Sequence, residues 1–265
     1  MLGPIGIFDS GIGGLTVARA IHDLLPDESI LYFGDTAHLP YGEKSPELIR
    51  RYSTRIALHL VESGCKAIVI ACNSASSNAL EAIKNAVGSS IPVIDMVSPM
   101  VTYISSKNPN ARVGLIGTRA TISSRVYEKG FADISDSISL LSRATPLLAS
   151  AIEEGFYNDS IPQAVLEAYL SDDFFKEIDS IILGCTHYPL VSNEVNVLLS
   201  PNVEVIDSPS VIALELKSQL ENQELLSKKS QSTEHHFQVS DLTENFRKSA
   251  QYFFGEDLKL EEVKL

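Results

Sequence analysis

The sequence predicts an α/β protein made of two similar parallel-sheet units. The first observation is a series of short apolar runs, rich in β-branched and aromatic residues, that end at polar residues or glycine. Runs of this kind are typical of strands buried on both faces of a parallel sheet. The second observation is the helix-period sequence between the runs, clearest over residues 46–63, where apolar side chains fall on one broad face. The third is that the series of runs occurs twice.

The repeat has a nearly constant offset. Four runs of the first half, at 5–8, 30–33, 67–71 and 92–94, are matched in order by runs at 112–116, 138–141, 180–184 and 203–207. The offset is 108 residues from Gly6 to Gly114 and 113 residues from Cys72 to Cys185. Alternation of strands and helices implies right-handed crossovers between parallel strands. We therefore predict two domains related by internal duplication, residues 1–97 together with 208–265, and residues 98–207.

The C-terminal tail differs from both units. Residues 219–234 are polar and predict a loop or a surface helix. An apolar stripe with helical spacing follows from Leu242 to Phe254. Because such a stripe needs a surface to cover it, we expect the tail to pack back on the first unit.

Composition narrows the classes of function. The chain has 265 residues, with 34 Asp and Glu against 21 Lys and Arg, and this acidic balance argues against a nucleic-acid partner. Three cysteines do not make a disulfide framework. The first residues show no signal-peptide pattern, and no apolar run approaches the roughly 20 residues that span a bilayer. We expect a cytoplasmic protein with free thiols and no membrane partner.

Two cysteines occupy matching positions. Cys72 ends the third run of the first half, and Cys185 ends the third run of the second half. Hydrogen-bonding side chains follow each thiol at once: Asn73 and Ser74, then Thr186 and His187. Ligands of parallel sheets bind beyond the carboxyl ends of the strands, so the two thiols are predicted to face each other across one cleft. A single cysteine here is more often an inert core residue, but the matched pair favours function.

Other polar residues at predicted strand ends allow two interpretations. The glycine-rich turn at 9–14 lacks the spacing of a dinucleotide or nucleotide phosphate loop. It is either a tight turn or a set of backbone N–H groups for a small anion. Asp9 is either a helix cap or a proton acceptor beside a thiol. Tyr41 and Gly42 belong either to a turn or to the cleft wall. His187 and Cys185 are too few ligands for a metal, so no metal is expected and His187 is interpreted as the partner of the thiol.

Four motifs stand out in the chain: GIFDSGIGGL at 6–15, YFGDT through PYG at 32–42, ACNSA at 71–75 and LGCTHYP at 183–189. Together they resemble the glutamate racemases, the cofactor-independent enzymes that make D-glutamate for peptidoglycan. The resemblance covers nearly the whole chain. It implies an isomerase with glutamate as its small-molecule substrate and no cofactor. Members of this family are often dimeric, so a homodimer is a further expectation.

The resemblance also implies roles for individual residues. Cys72 and Cys185 would be the paired acid and base. Asp9 and His187 would each support the thiol on their own side, and Glu153 would assist. The residues that would bind the substrate or line its site are Asp9, Ser10, Tyr41, Gly42, Asn73, Ser74, Thr118, Thr186 and His187.

The chain departs from the family pattern in a few places. Ser74 stands where threonine is usual, and it keeps the hydroxyl, so substrate binding is expected to survive. Thr145 stands where a cysteine is common and has no assigned role. The tail from Gln219 onward matches weakly. Cys65, the third cysteine, has no neighbour that gives it a role, and it is predicted to be a small buried residue.

Racemisation gives a reason for two thiols. One base does not easily reach both faces of a fixed substrate, whereas two bases on opposite sides can remove the α-proton and return another. Three rival interpretations remain open. An aspartate racemase shares both cysteines but is less similar around Asp9 and Tyr41. A hydrolase or amidase would use Cys185 with His187 and leave Cys72 unexplained. A non-catalytic amino-acid-binding module would use both cysteines only for packing.

Overall fold

Two separate parallel sheets form the framework of the chain. The computed structural model describes residues 3–156, 160–227, 233–255 and 258–265. The strands in these ranges are β1 (Ile5–Asp9), β2 (Ile30–Gly34), β3 (Ala67–Ile70), β4 (Val93–Ile94), β5 (Arg112–Gly117), β6 (Ser139–Ala144), β7 (Ser180–Gly184), β8 (Glu204–Ile206), β9 (His236–Val239) and β10 (Leu260–Glu262). The α-helices are α1 (Leu15–Leu24), α2 (Pro46–Glu62), α3 (Asn73–Val87), α4 (Ser98–Lys107), α5 (Arg119–Ser124), α6 (Val126–Ile134), α7 (Pro146–Glu153), α8 (Ser160–Leu170), α9 (Ser192–Leu198), α10 (Ser208–Asn222) and α11 (Glu244–Phe254).

The two sheets share one strand order. The first sheet runs β10-β9-β2-β1-β3-β4, and the second runs β6-β5-β7-β8. Without the two strands from the tail, the first sheet reads β2-β1-β3-β4, which matches the second strand for strand. The central strands β1 and β5 each pair in parallel with both neighbours. The predicted fold class, two similar parallel-sheet units, is confirmed. In this arrangement β3 and β7, which precede the two thiols, are equivalent strands.

The central strands are buried on both faces. Side chains alternate along a strand, so Ile5 and Ile7 of β1 pack in a cluster with residues of α1 and α10. Phe8 points the other way and packs with residues of α2 and α3. Because helices cover both faces, the strand sequence is apolar throughout rather than alternating. This burial leaves the carboxyl ends of the strands as the place for polar side chains.

Most predicted elements agree with the structure, but β6 lies further along the chain. The prediction was 138–141, whereas the strand spans Ser139–Ala144. It forms the edge of the second sheet and is only partly buried. Its polar residues Ser142 and Arg143 therefore sit in a strand without an apolar signal. The helix predicted over 46–63 is α2, whose first turn is capped by Ser45.

The tail contributes a helix and two strands. The predicted helix is α11, which begins after Thr243, whose hydroxyl accepts the Phe246 N–H at 3.1 Å. Helices α10 and α11 both pack against α1, and β9 pairs with β2. Strands β9 and β10 were not predicted, because both are short and β9 pairs with β2, which is far away in sequence. Of the polar stretch 219–234, the start belongs to α10, and residues 228–232 lie outside the described ranges.

Within the described ranges, no helix combines the length and the apolar character needed to cross a membrane.

Candidate active site

Two buried thiols line one cleft between the ends of the two sheets. Cys72 directly precedes α3, two residues after β3 ends, and Cys185 directly follows β7. The side chains are free thiols, with 4% and 7% of their surface exposed. Both line a cleft of about 610 Å³, a volume that includes its open mouth. Because β3 and β7 are equivalent, the duplicated fold brings the two sulfur atoms to one cavity.

Two backbone N–H groups, the Ser10 hydroxyl and the charge of Asp9 all act on the Cys72 thiol. Its thiol donates to Ser10 Oγ at 3.6 Å. The backbone N–H groups of Ser10 and Ala75 also point to the sulfur and favour its ionised form. Burial opposes them, and so does the charge of Asp9, so that the pKa of Cys72 rises to about 12. The unliganded thiol is therefore protonated at neutral pH.

Cys185 has the imidazole of His187 as its neighbour. Its Sγ lies 3.6 Å from His187 Nδ1. Burial raises the pKa of Cys185, and a backbone hydrogen bond from His187 offsets only part of the rise. Negative charge on Cys72, Asp9 or Glu153 raises this pKa further. Each thiolate thus disfavours the other, and the cleft favours one ionised sulfur at a time.

Glu153 approaches His187 from the opposite side of the ring. The His187 Nε2 and Glu153 Oε2 atoms are 3.8 Å apart, too far for a direct hydrogen bond. Nε2 is buried and has no hydrogen-bond partner among the described residues. Burial raises the pKa of the Glu153 carboxyl, the charge of His187 lowers it, and Asp9 raises it. The imidazole of His187 therefore lies between the Cys185 thiol and the Glu153 carboxyl.

Asp9 lies beneath the cleft rather than on its wall. Its side chain is fully buried, and Oδ2 accepts the Gly11 N–H at 3.1 Å. Helix α1 begins only at Leu15, so Asp9 stabilises the preceding turn and does not cap the helix. Its Oδ1 is buried without a hydrogen-bond partner among the described residues. One oxygen of the Asp9 carboxylate is therefore buried and unpaired within these residues, and the charge of Asp9 raises the pKa of Cys72.

The glycine-rich turn packs closely against groups from both units. A β-carbon on Gly14 would lie 2.5 Å from Asp9 Cβ, and one on Gly13 would lie 2.4 Å from Thr186 Oγ1. Only glycine allows approaches this close. Of the turn's backbone N–H groups, that of Gly11 is taken by Asp9 and that of Ser10 faces Cys72. The turn therefore serves close packing, and two of its N–H groups are directed to Asp9 and to Cys72.

The remaining predicted residues line the cleft. Ser74 Oγ and Thr118 Oγ1 share a hydrogen bond of 2.9 Å, which joins the start of α3 to the end of β5. Gly42 packs on Thr118, since a β-carbon there would lie 2.7 Å from Thr118 Cβ. Tyr41 differs from expectation in one respect: its hydroxyl donates to Asp35 Oδ2 at 2.5 Å. The hydroxyl hydrogen of Tyr41 is therefore used by Asp35 and does not serve as a donor in the cleft.

Helix α7 contributes a face that was not predicted. Pro146, Ala149, Ser150 and Glu153 all line the cleft, and their spacing puts them on one side of the helix. Of these, only Glu153 was expected. Helical periodicity, counted back from Glu153, is the signal that finds the other three. Thr145, just before the helix, is fully buried and bonds the Tyr188 hydroxyl at 2.7 Å outside the cleft lining.

Cys65 packs away from the site. It is 4% exposed, and a β-carbon on Gly6 would lie 2.9 Å from its sulfur. The prediction of a small buried residue is confirmed. Across the described ranges, no three His, Cys, Asp or Glu side chains converge as they would around a metal ion.

The sequence matches proteins of one known family. The model of the Asp/Glu/hydantoin racemase family matches residues 15–216. The chain belongs to this family. Among curated members of the Asp/Glu/hydantoin racemase family, the glutamate racemase of Chlorobaculum parvum is 40% identical over 96% of this chain and 93% of its own. The glutamate racemase of Geobacter metallireducens is 40% identical over 95% and 92%.

A solved structure from the family agrees with the fold. The glutamate racemase of Francisella tularensis, crystallised in complex with D-glutamate, superimposes with a TM-score of 0.93. The two sequences are 37% identical, and the match covers 99% of this chain and 98% of the other. The two-unit architecture is therefore that of the family.

Proposed function

We propose that this protein interconverts L- and D-glutamate by proton transfer at Cα between Cys72 and Cys185, without a cofactor. The observation that carries the proposal is a pair of buried thiols, from equivalent strand ends, in the wall of one cleft. The relatives named glutamate racemase support glutamate as the substrate. A hydrolase built on Cys185 and His187 would leave Cys72 without a role.

The reaction needs one thiolate and one thiol at the same time. The thiolate removes the α-proton from one face of glutamate, and the electron pair of the broken C–H bond is delocalised into the α-carboxylate. The opposite thiol then donates its proton to the other face, which forms the mirror-image product and exchanges the two roles. Because burial raises the pKa of both thiols, a proton acceptor on each side is required to start a turnover.

Asp9 and the pair of His187 with Glu153 are the proposed acceptors. Moving the Cys72 proton to Asp9 transfers negative charge from oxygen to sulfur and leaves the net charge of the pair unchanged. His187, 3.6 Å from Cys185 Sγ, serves the second thiol, and Glu153 stabilises the imidazolium that forms. We propose that Asp9 adjusts the ionisation of Cys72, and that His187 with Glu153 adjusts the ionisation of Cys185.

Polar groups around the thiols are suited to the substrate carboxylates. Charge that develops on the α-carboxylate is best stabilised by donors already aimed at it. We propose that Ser10, Asn73, Ser74 and Thr186 supply these donors, with Thr118 holding Ser74 in place. Tyr41 and Gly42 form the facing wall.

The wider role follows from the product. We propose that the enzyme works in the cytoplasm, supplies D-glutamate for peptidoglycan and acts as a homodimer. We also propose that residues 1–97 with 208–265 and residues 98–207 are its two domains. The pairing of β9 with β2 and the packing of α10 and α11 on α1 support the return of the tail to the first unit.

The proposal is tested with the purified protein and L-glutamate in heavy water, without added cofactor. We expect optical rotation to fall to zero while one deuterium enters at Cα. The same assay with L-aspartate, run in parallel, shows whether the enzyme acts on glutamate or on aspartate. Hydrolysis without deuterium at Cα would favour the hydrolase, and tight glutamate binding with no exchange would favour a binding module.

The pH dependence follows from the raised thiol pKa values. A thiol with a pKa of about 12 is ionised in a fraction that grows about tenfold per pH unit below that value. We expect kcat/KM to rise between pH 6 and pH 9 by less than this factor, because the acceptor groups supply part of the thiolate without loss of a proton to solvent. Initial rates in both directions check this. A flat profile over this range would show that the acceptor groups have already removed the proton.

Gly13→Ala is expected to lower kcat/KM about 100-fold, as displacement of a catalytic group by an ångström can do. The added β-carbon would lie 2.4 Å from Thr186 Oγ1 and 2.6 Å from His187 Nδ1, so both side chains must move. Steady-state kinetics and a thermal melt measure the effect. The matched control is Gly130→Ala in α6, where the three atoms nearest to the new methyl group all belong to Val101 and the kinetics should be unchanged. Normal kinetics in Gly13→Ala would argue against the proposed positions of these two side chains.

A further inference from the structure

The side-chain amide of Asn73 has a hydrogen-bond partner for its oxygen but, among the described residues, none for its nitrogen. It is 3% exposed and lines the cleft beside Cys72. Its Oδ1 accepts a hydrogen bond from the Tyr127 hydroxyl at 2.9 Å. Its Nδ2 is buried and has no hydrogen-bond partner among the described residues. A buried, unsatisfied amide N–H group in a cleft wall is costly unless a ligand completes it.

Tyr127 is anchored in the other unit. It lies in α6, is 1% exposed, and packs in a cluster with Met100, Val101 and Phe131. Burial, with the charge of Asp95, raises the pKa of its phenol. The hydroxyl therefore keeps its proton at any working pH and remains a donor. Its other neighbouring acceptor, the Met96 carbonyl, is at 3.4 Å, near the limit of a hydrogen bond.

This donor decides which end of the amide faces the cleft. A carboxamide presents an acceptor at one end and two donors at the other. With Oδ1 bound to the phenol, the NH₂ group is the end left for the ligand. In the opposite orientation a carbonyl oxygen would face the ligand, and it would repel a carboxylate.

We infer that Tyr127 is a positioning residue that orients the Asn73 amide so that its NH₂ group donates to a carboxylate of glutamate. The inference rests on the proposed function, because it needs glutamate as the ligand of this cleft. Tyr127 belongs to the second unit and Asn73 to the first. The orientation of the Asn73 NH₂ group therefore depends on contact between the two units.

Tyr127→Phe removes only the hydroxyl. We expect KM for both enantiomers of glutamate to rise about tenfold, in line with the loss of a hydrogen bond to a charged group, while kcat changes less. Tyr188→Phe is the matched control. It also removes a fully buried phenol hydroxyl, bonded to Thr145, and should lower the melting temperature without raising KM.

A double-mutant cycle separates orientation from general stability. In an Asn73→Ala background, Tyr127→Phe should change KM by less than about twofold, because no amide remains to be oriented. An unchanged KM in the single variant, or a full and additive loss in the double variant, would overturn the inference. The wild type is assayed first: if it does not racemise glutamate, the proposed function fails and this inference fails with it. An active wild type with a normal Tyr127→Phe variant overturns only the role of Tyr127.

Discussion

Cys72→Ser and Cys185→Ser are each expected to lower the rate of racemisation by about 10³-fold, within the range of about 10²- to 10⁴-fold that is typical for a general acid or base. A serine hydroxyl in the same place does not ionise near neutral pH, so neither variant can remove a proton from one face and return one to the other. Circular dichroism and thermal melts should show an intact fold, because the substitution changes one buried atom.

The single variants also make a finer prediction. Each keeps one thiol, so each should still exchange the α-hydrogen of one enantiomer with solvent deuterium, slowly and without inversion. The two variants should select opposite enantiomers, because the proposed two-base mechanism requires one thiol on each side of Cα. Cys65→Ala is the matched control, because Cys65 is equally buried but packs against Gly6 away from the cleft. Racemisation at more than a tenth of the wild-type rate in either cleft variant would contradict the two-base mechanism.

Lys66→Met is expected to lower the free energy of unfolding by about 3–5 kcal/mol, the cost of leaving a buried charge unpaired. The Lys66 ammonium is ion-paired with Glu28, and the two side chains are 4% and 3% exposed. It also donates to the Leu225 carbonyl at 2.7 Å and to Ser227 Oγ at 3.1 Å. The pair therefore joins the start of β3 to the chain that follows α10.

Denaturant unfolding of the wild type and of two further variants checks this account. Lys66→Met with Glu28→Gln removes both charges and should recover part of the loss, because no carboxylate is then left buried without a cation. Lys107→Met breaks the surface pair of Lys107 and Glu204, whose side chains are about half exposed. It should leave stability nearly unchanged, since solvent screens such pairs. If Lys66→Met is no less stable than Lys107→Met, the buried pair does not hold the tail in place.

The strands and the thiol pair were predictable for local reasons. A buried parallel strand is a short run of β-branched residues, and the residue that ends it is polar because it leaves the core. This is why 67–71 and 180–184 pointed to Cys72 and Cys185 without knowledge of any contact. The edge strands β6 and β10 were shifted or missed, because an edge strand is partly exposed and its polar sequence carries no such signal. Strand β9, which lies between β10 and β2, was missed because it is short and pairs with a strand far away in sequence.

The site was only partly predictable. Glu153 was expected, but Ala149 and Ser150 on the same helix face were not, although helical spacing pointed to them. Asp35 was not expected to take the Tyr41 hydroxyl, since both residues follow a strand end and nothing local shows which way either points. A side chain's partner depends on the orientation of the element that carries it.

The sequence by itself determined that two equivalent strands end in thiols, because strand periodicity and the repeat are local patterns. The tertiary structure decided which groups surround the two thiols in the cleft. It placed Asp9 under the wall as a buried carboxylate, set His187 between Cys185 and Glu153, and brought Tyr127 to Asn73. These contacts join residues far apart in the chain. They follow from the packing of helices and loops around the sheets, which no spacing along the sequence encodes.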